Sequence, residues 1–341
     1  MTMTTPAHAD KPAAFDPDAM AREAQFTDAF KDAITPFWQQ REQGTFHGEG
    51  GLRLHWCSFT HPKHTKAVVV INGRIESVMK YQEIFYDLFQ MGYDVYSFDH
   101  RGQGLSQRLV LKPRDLGHVE RFDDYVADVA TFMQQVRAHR HYDDWFMLGH
   151  SMGGAIATLY AHQYPGAVQA IALTAPMFGV QVSPWLGRIA PWLCRSLARY
   201  QHPPRFGPGQ VGYRHVPFEQ NRLTHSRARY AWFRQLYINQ PQLQIGGPSA
   251  RWIAEGLAAG TRCLALAPSL TTPTFICQAG EELIVSNPAM SQFHAVRKQA
   301  GQSSQWRTFD GARHEILFET DNHRVTALRE IDAFFSRYVG E

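Results

Sequence analysis

The five residues Gly149-His150-Ser151-Met152-Gly153 match G-x-S-x-G. Glycines in this pattern let a chain turn so sharply out of a strand that the central serine hydroxyl projects above the sheet edge. The flanks supply the context such a turn needs, because DWFML before it reads as an apolar strand and GAIATLYAHQY after it as a small-residue helix. A serine hydroxyl is a poor nucleophile until a base removes its proton. His314, in Gly311-Ala312-Arg313-His314-Glu315, follows the last strand pattern and precedes the final helix, where a loop can bring it over Ser151. An acid to orient that imidazole is expected in the loop after the run Thr272 to Gln278, where Glu281 and Glu282 are adjacent. Glu282 is the preferred residue and Glu281 the alternative. A tetrahedral intermediate needs two backbone N–H donors for its oxyanion, and Met152 and Arg74 stand where they can supply them, Arg74 through the loop Asn72-Gly73-Arg74. The chemistry open to this set is transfer of an acyl group from an ester to serine and then to water.

The elements that must hold these residues follow from the apolar runs. Lys66 to Asn72, Tyr93 to Asp99, Asp144 to His150, Val168 to Ala175 and Thr272 to Gln278 are short and apolar, as strands buried on both faces are. Amphipathic stretches of helical length lie between most of them, near Tyr81 to Gln90, Asp123 to His139 and Gly154 to Gln163. The alternation predicts an α/β fold, a mostly parallel central sheet flanked by helices. A last strand near Gln305 to Phe309 and a closing helix from about Asp321 to Tyr338 complete it. Before the sheet, Ala19 to Thr35 has helical spacing and Pro36 is expected to stop it, while Gly50-Gly51 separates two runs of an early hairpin. The stretch from Met177 to Leu270 breaks the alternation with prolines, tryptophans and helical pieces, and reads as an inserted helical cap. The expected division is therefore 1–45 as leader and helix, 46–176 with 271–341 as the core, and 177–270 as the cap.

The chain has 341 residues and a formal net charge of +3, spread unevenly. Met177 to Leu270 holds eleven arginines, no lysine or aspartate, and only two acids, Glu219 and Glu255, a net of +9 that leaves −6 elsewhere. No apolar run suits a signal-peptide core or a membrane span, and the four cysteines lack CxxC spacing, so a cytoplasmic protein with reduced thiols is expected. No cofactor and no metal is expected: His314-Glu315 lacks HExxH spacing and His47 to Gly51 makes no dinucleotide loop. Nucleic acid is not an expected partner, since the proline and tryptophan of the basic segment suggest an enclosing lid.

The sequence resembles the α/β-hydrolases of the monoglyceride lipase and lysophospholipase group. The resemblance is carried by NGRIES (72–77), DHRGQGLS (99–106), GHVERFDDY (117–125), HSMGGAI (150–156), AIALTAPMFG (170–179), LTHSRARY (223–230) and RHEILFE (313–319), and runs from about Trp38 to the C-terminus. It implies Ser151 as nucleophile, His314 as base and Glu282 at a position where most of the wider group has aspartate. Asp99, His100 and Arg101 read as braces behind the site. A lipid substrate suits the cap: Trp185, Trp192, Trp232, Trp252, Phe233 and Tyr237 can line an acyl tunnel, and arginines match phosphate as forked donors. Arg222, Arg227, Arg229 and Arg234 are the candidates for contact with a phosphate head group or an anionic membrane surface, which would make the protein peripheral on the inner membrane face. The expected reaction is hydrolysis of a lysophospholipid's fatty-acyl ester. A monoacylglycerol lipase, broad carboxylesterase or transacylase with the same residues is the alternative.

Overall fold

The computed structural model describes residues 17–181 and 184–340. The leader from Met1 to Asp16 and the side chain of Trp185 lie outside the described residues. The chain enters through short helical turns, α1 (Phe26–Ala29), a π-helical stretch Phe30–Ile34 and α2 (Thr35–Gln39). Pro36 does not stop the helix as expected. It lies just after the π-helical stretch, and the backbone stays helical from Ile34 on through α2. β1 (Glu42–His47) and β2 (Arg53–Phe59) then form the expected antiparallel hairpin, with Gly50 and Gly51 at φ of 70° and 74° in its turn.

From β3 (Lys66–Ile71) the chain alternates: α3 (Gln82–Gln90), β4 (Tyr93–Phe98), α4 (Asp123–His139), β5 (Asp144–His150), α5 (Met152–Gln163) and β6 (Ala170–Thr174). Three helices, α6 (Pro184–Tyr200), α7 (Arg227–Asn239) and α8 (Ala250–Leu266), follow before β7 (Thr274–Ala279), α9 (Asn287–Gln299), β8 (Ser304–Phe309) and α10 (Asp321–Phe335). The eight strands form one sheet in the order β1-β2-β4-β3-β5-β6-β7-β8, antiparallel on both sides of β2 and parallel from β4 to β8.

Alternation along the strands sends successive residues into two separate cores. Val69 and Ile71 of β3 face α4 and α5, whereas Val68 and Val70 face α3 and α10. The first core also takes in Ala259 and Cys263 of α8, so the last turns of that helix pack directly on the central layer. Register aligns the carboxyl ends of the strands: Ile71 pairs with Gly149, His150 with Thr174, Thr174 with Cys277 and Ala279 with Phe309. The loops leaving β3, β5, β7 and β8 therefore emerge along one sheet edge, the crevice where ligands of such sheets sit. Among the described residues no helix is long and apolar enough to cross a membrane.

Candidate active site

Ser151 ends β5 and starts α5 at φ 52°, ψ −116°, a left-handed conformation that an ordinary residue adopts only when its surroundings impose it. The surroundings are visible in the flanking glycines. A Cβ on Gly149 would lie 2.8 Å from the Gly153 carbonyl oxygen, and one on Gly153 would lie 2.0 Å from that of Ile71 and 2.5 Å from that of Asn72. Tight packing of the turn against the end of β3 is thus why the small residues are there, and it sets Ser151 beside the Asn72-Gly73-Arg74 loop.

His314 lies in the loop after β8, with its Nε2 3.1 Å from Ser151 Oγ and its Nδ1 2.8 Å from Glu282 Oε2. All three residues are buried. A carboxylate can only accept, so Nδ1 carries the proton and the Nε2 lone pair is left to take the serine's. The other carboxylate oxygen, Oε1, accepts from the N–H groups of Ile284 at 2.7 Å and Val285 at 3.1 Å, which fixes the loop and the acid together. Burial pushes the Glu282 carboxyl up, but the His314 hydrogen bond and charge and those two N–H groups outweigh it and hold the group below its ordinary value. Glu281, the alternative acid, points away, with a carboxylate oxygen 3.3 Å from His225 Nε2, and is more than half exposed.

The N–H groups of Arg74 and Met152 make no turn or loop hydrogen bond among the described residues. Their loop is braced by groups that sequence reasoning did not single out. Gln103 Nε2 donates to Gly73 O at 2.8 Å and Glu76 O at 3.1 Å, and Glu76 accepts from Gly73 N–H at 2.5 Å, Tyr81 Oη at 2.5 Å and Lys80 Nζ at 2.8 Å. Lys80 Nζ also donates to Glu315 at 2.5 Å, so one buried ammonium joins the loop after β3 to the loop after β8. Burial works against the Glu76 charge, yet Lys80, His150 and Tyr81 bring its pKa down to about 2, while burial pushes Glu315 up. The only trace of this cluster in the sequence is the four-residue spacing of Glu76 and Lys80 and the position of Glu315 next to His314. Glu76, His150 and Glu315 bring ligand-type atoms within 4.8 Å of one another, but the Lys80 ammonium already sits between the two carboxylates. Burial lowers His150 to about 4, so no second cation forms 5.0 Å from the His314 ring.

Asp99, His100 and Arg101 are engaged with protein. Asp99 accepts from the N–H groups of Val78 and Leu105, His100 Nε2 meets Asn72 O at 3.0 Å, and Arg101 forks onto Asp128 at 2.6 and 2.7 Å.

Of Arg222, Arg227, Arg229 and Arg234, the last three are less available than the sequence suggested. Arg229 is buried and committed: its guanidinium donates to Glu83 at 2.8 and 2.9 Å, to Asp321 at 2.6 Å and to the Glu319 carbonyl. Every guanidinium nitrogen of Arg229 is thus engaged with protein groups. Arg234 is buried against the Tyr230 hydroxyl at 2.9 and 3.0 Å, Arg227 pairs with Glu219 at 3.0 Å in solvent, and Arg222 is exposed. The aromatic residues also scatter. Trp192 is 70% exposed, Trp232 packs on Phe30, and Phe233 and Tyr237 belong to a small cluster of their own. Among the described side chains of that set, Trp252 lines the apolar cavity of about 250 Å³ shared by α6, α8 and Met177, whose N–H donates to Ser151 O.

Residues 62–321 match the model of the serine aminopeptidase S33 family. The chain is 41% identical over 329 residues to lysophospholipase L2 of Escherichia coli K12, covering 94% of this chain and 95% of that protein. It is 31% identical over 320 residues to a Haemophilus influenzae protein named "Probable lysophospholipase L2", covering 93% and 99% of the two. Among solved structures, a soluble variant of monoglyceride lipase from Saccharomyces cerevisiae superimposes with a TM-score of 0.68 at 18% identity, over 87% of this chain and 95% of that one.

Proposed function

Because this chain belongs to the serine aminopeptidase S33 family of α/β-hydrolases, within which it groups with the lysophospholipases L2, we propose that it is an esterase that cleaves the fatty-acyl ester of a lysophospholipid. The carrying observation is the line Ser151 Oγ, His314 Nε2, His314 Nδ1, Glu282 Oε2, with contacts of 3.1 and 2.8 Å. In this reading Ser151 Oγ attacks the acyl carbonyl carbon while His314 Nε2 takes its proton. The oxyanion that forms is held by the N–H groups of Arg74 and Met152. Collapse expels the glycerol oxygen, which receives the proton from His314 and leaves an acyl ester on Ser151. Water, deprotonated by the same imidazole, then releases the fatty acid. Glu282 orients the ring and stabilises the imidazolium.

Residues 177–270 form the cap in this proposal, with the cavity beneath α6 and α8 suited to an alkyl chain. α6 adds support for peripheral contact with a membrane. It exposes Ile189, Trp192 and Tyr200, contains Arg195 and Arg199, and has no acid. Such a face suits the interface of an anionic bilayer, and the four buried free cysteines suit a cytoplasmic location at the inner membrane face.

The test is fatty-acid release by wild type and Ser151→Ala on a lysophospholipid and on a monoacylglycerol of the same acyl chain. The expected result is preference for the lysophospholipid, abolished in the variant. Preference for the neutral glyceride would transfer the assignment to a monoacylglycerol lipase, and undiminished release by Ser151→Ala would remove Ser151 from the chemistry.

A further inference from the structure

The buried and half-buried arginines of this protein differ in what holds them. Arg22, Arg101, Arg229 and Arg324 each face carboxylates, and Arg297 is ringed by the carbonyls of Leu270, Thr272 and Ser303. Arg74 is different. Its Nη1 donates to Gly246 O at 3.0 Å, the side chain's one hydrogen bond among the described residues, and its guanidinium lies over the Trp252 ring at 5.2 Å. No carboxylate among the described residues holds it. The side chain is half-buried beside Gly117, where a Cβ would fall 3.0 Å from Nη1. Burial pushes the guanidinium down to about 10, so it remains a cation at neutral pH with two nitrogens, Nε and Nη2, uncommitted to protein.

A guanidinium with one face on an indole and an unfilled edge is a fork for an oxyanion, and phosphate fits that fork. Its position agrees. Arg74 is the residue whose backbone N–H faces the acyl oxyanion in the proposed mechanism. An arginine side chain reaches about as far from its own backbone as a glycerol reaches from its ester carbonyl to its phosphate. We propose that the Arg74 side chain binds the phosphate of the head group, so that one residue holds the substrate at both ends. The inference rests on the lysophospholipid reading above, and it moves head-group recognition from the cap arginines to the loop after β3. The bland role, a brace from that loop to Gly246, predicts no dependence on the head group.

The experiment measures kcat/KM of wild type, Arg74→Gln and Arg74→Lys on a lysophosphatidylcholine and on the 1-monoacylglycerol of the same acyl chain. Both variants keep the backbone N–H, and damage to the loop burdens both substrates alike, so the readout is the ratio of the two values. Arg74→Gln is expected to lower that ratio about tenfold to a hundredfold, chiefly through KM, as loss of a charged hydrogen bond does. Arg74→Lys, a point charge without the fork, should fall between. Glycerol 3-phosphate should compete with a p-nitrophenyl ester in wild type and do so about tenfold more weakly in Arg74→Gln. An unchanged ratio, whatever the absolute loss, overturns the proposal and leaves Arg74 a brace. A wild type that cleaves the glyceride and not the lysophospholipid overturns the substrate reading itself, and shows this before any variant is made.

Discussion

Glu281 and Glu282 are neighbours of the same type, and nothing in their local pattern separates them, because a loop has no periodicity that says which side chain faces inward. Three dimensions separate them at once: Glu282 spends one oxygen on His314 and the other on the N–H groups of Ile284 and Val285, whereas Glu281 reaches His225 and Arg313 in solvent. Ser151 and His314 were legible because a motif with its strand and helix flanks, and a fixed chain order, specify them. Glu282→Gln keeps the shape but no longer stabilises the imidazolium and permits the wrong tautomer, so kcat on the ester substrate should fall by roughly 10³ to 10⁴. Glu281→Gln removes an exposed pair and should change kcat by about threefold at most. Steady-state rates of the two variants decide the matter, and a large loss in Glu281→Gln with little in Glu282→Gln would reverse the assignment.

At the scale of elements, β3 to β8 and helices α3, α4, α5 and α10 were read to within about three residues because apolar runs and amphipathic spacing are local properties, whereas the N-terminal helix was misplaced and α9 was not read. The loops were read for their backbone and not for what anchors them. The loop after β3 is held by Glu76, and the loop after β8 by Glu315, and the two meet at the Lys80 ammonium across 235 residues of sequence. No window of sequence contains that contact. Lys80→Met would leave two carboxylates facing each other without a cation, at a cost of about 3–5 kcal/mol. One of them would then hold a proton in the folded state that the unfolded chain releases near the ordinary value of 4.5. The folded state binding the extra proton means stability falls as pH rises, so the deficit should shrink from pH 7 towards pH 5. Urea midpoints of wild type and variant at both pH values measure this. An equal deficit at the two would mean that the carboxylates do not share the cation.

Over the whole molecule, the segregation of charge between a segment of +9 and a remainder of −6 has a structural use that composition alone could not assign. Basic side chains between β6 and β7 meet acids of the core: Arg262 pairs with Asp123 at 2.7 Å, Arg251 approaches Glu120 at 3.8 Å, and Arg229 joins Glu83 of α3, Asp321 of α10 and Glu23 of the N-terminal segment. Around Glu83 and Asp87 the guanidiniums of Arg22 and Arg324 complete a buried network that ties four parts of the chain together. Reading arginines as ligands for an external phosphate overlooked internal carboxylates 146 and 92 residues away, because sequence gives the charge of a side chain and not the address of its partner. Arg229→Met therefore leaves the buried Glu83 and the partly exposed Asp321 without their main donor, and the thermal midpoint should drop with a loss of about 3–5 kcal/mol. Adding Glu83→Gln to it should recover part of that loss, since the stranded charge is then gone. Hydrolysis of a lysophospholipid and of a monoacylglycerol should decline in the same proportion, as the active fraction declines. A variant with an unchanged midpoint and a selective loss on the lysophospholipid would instead return Arg229 to the head group and weaken the case for Arg74.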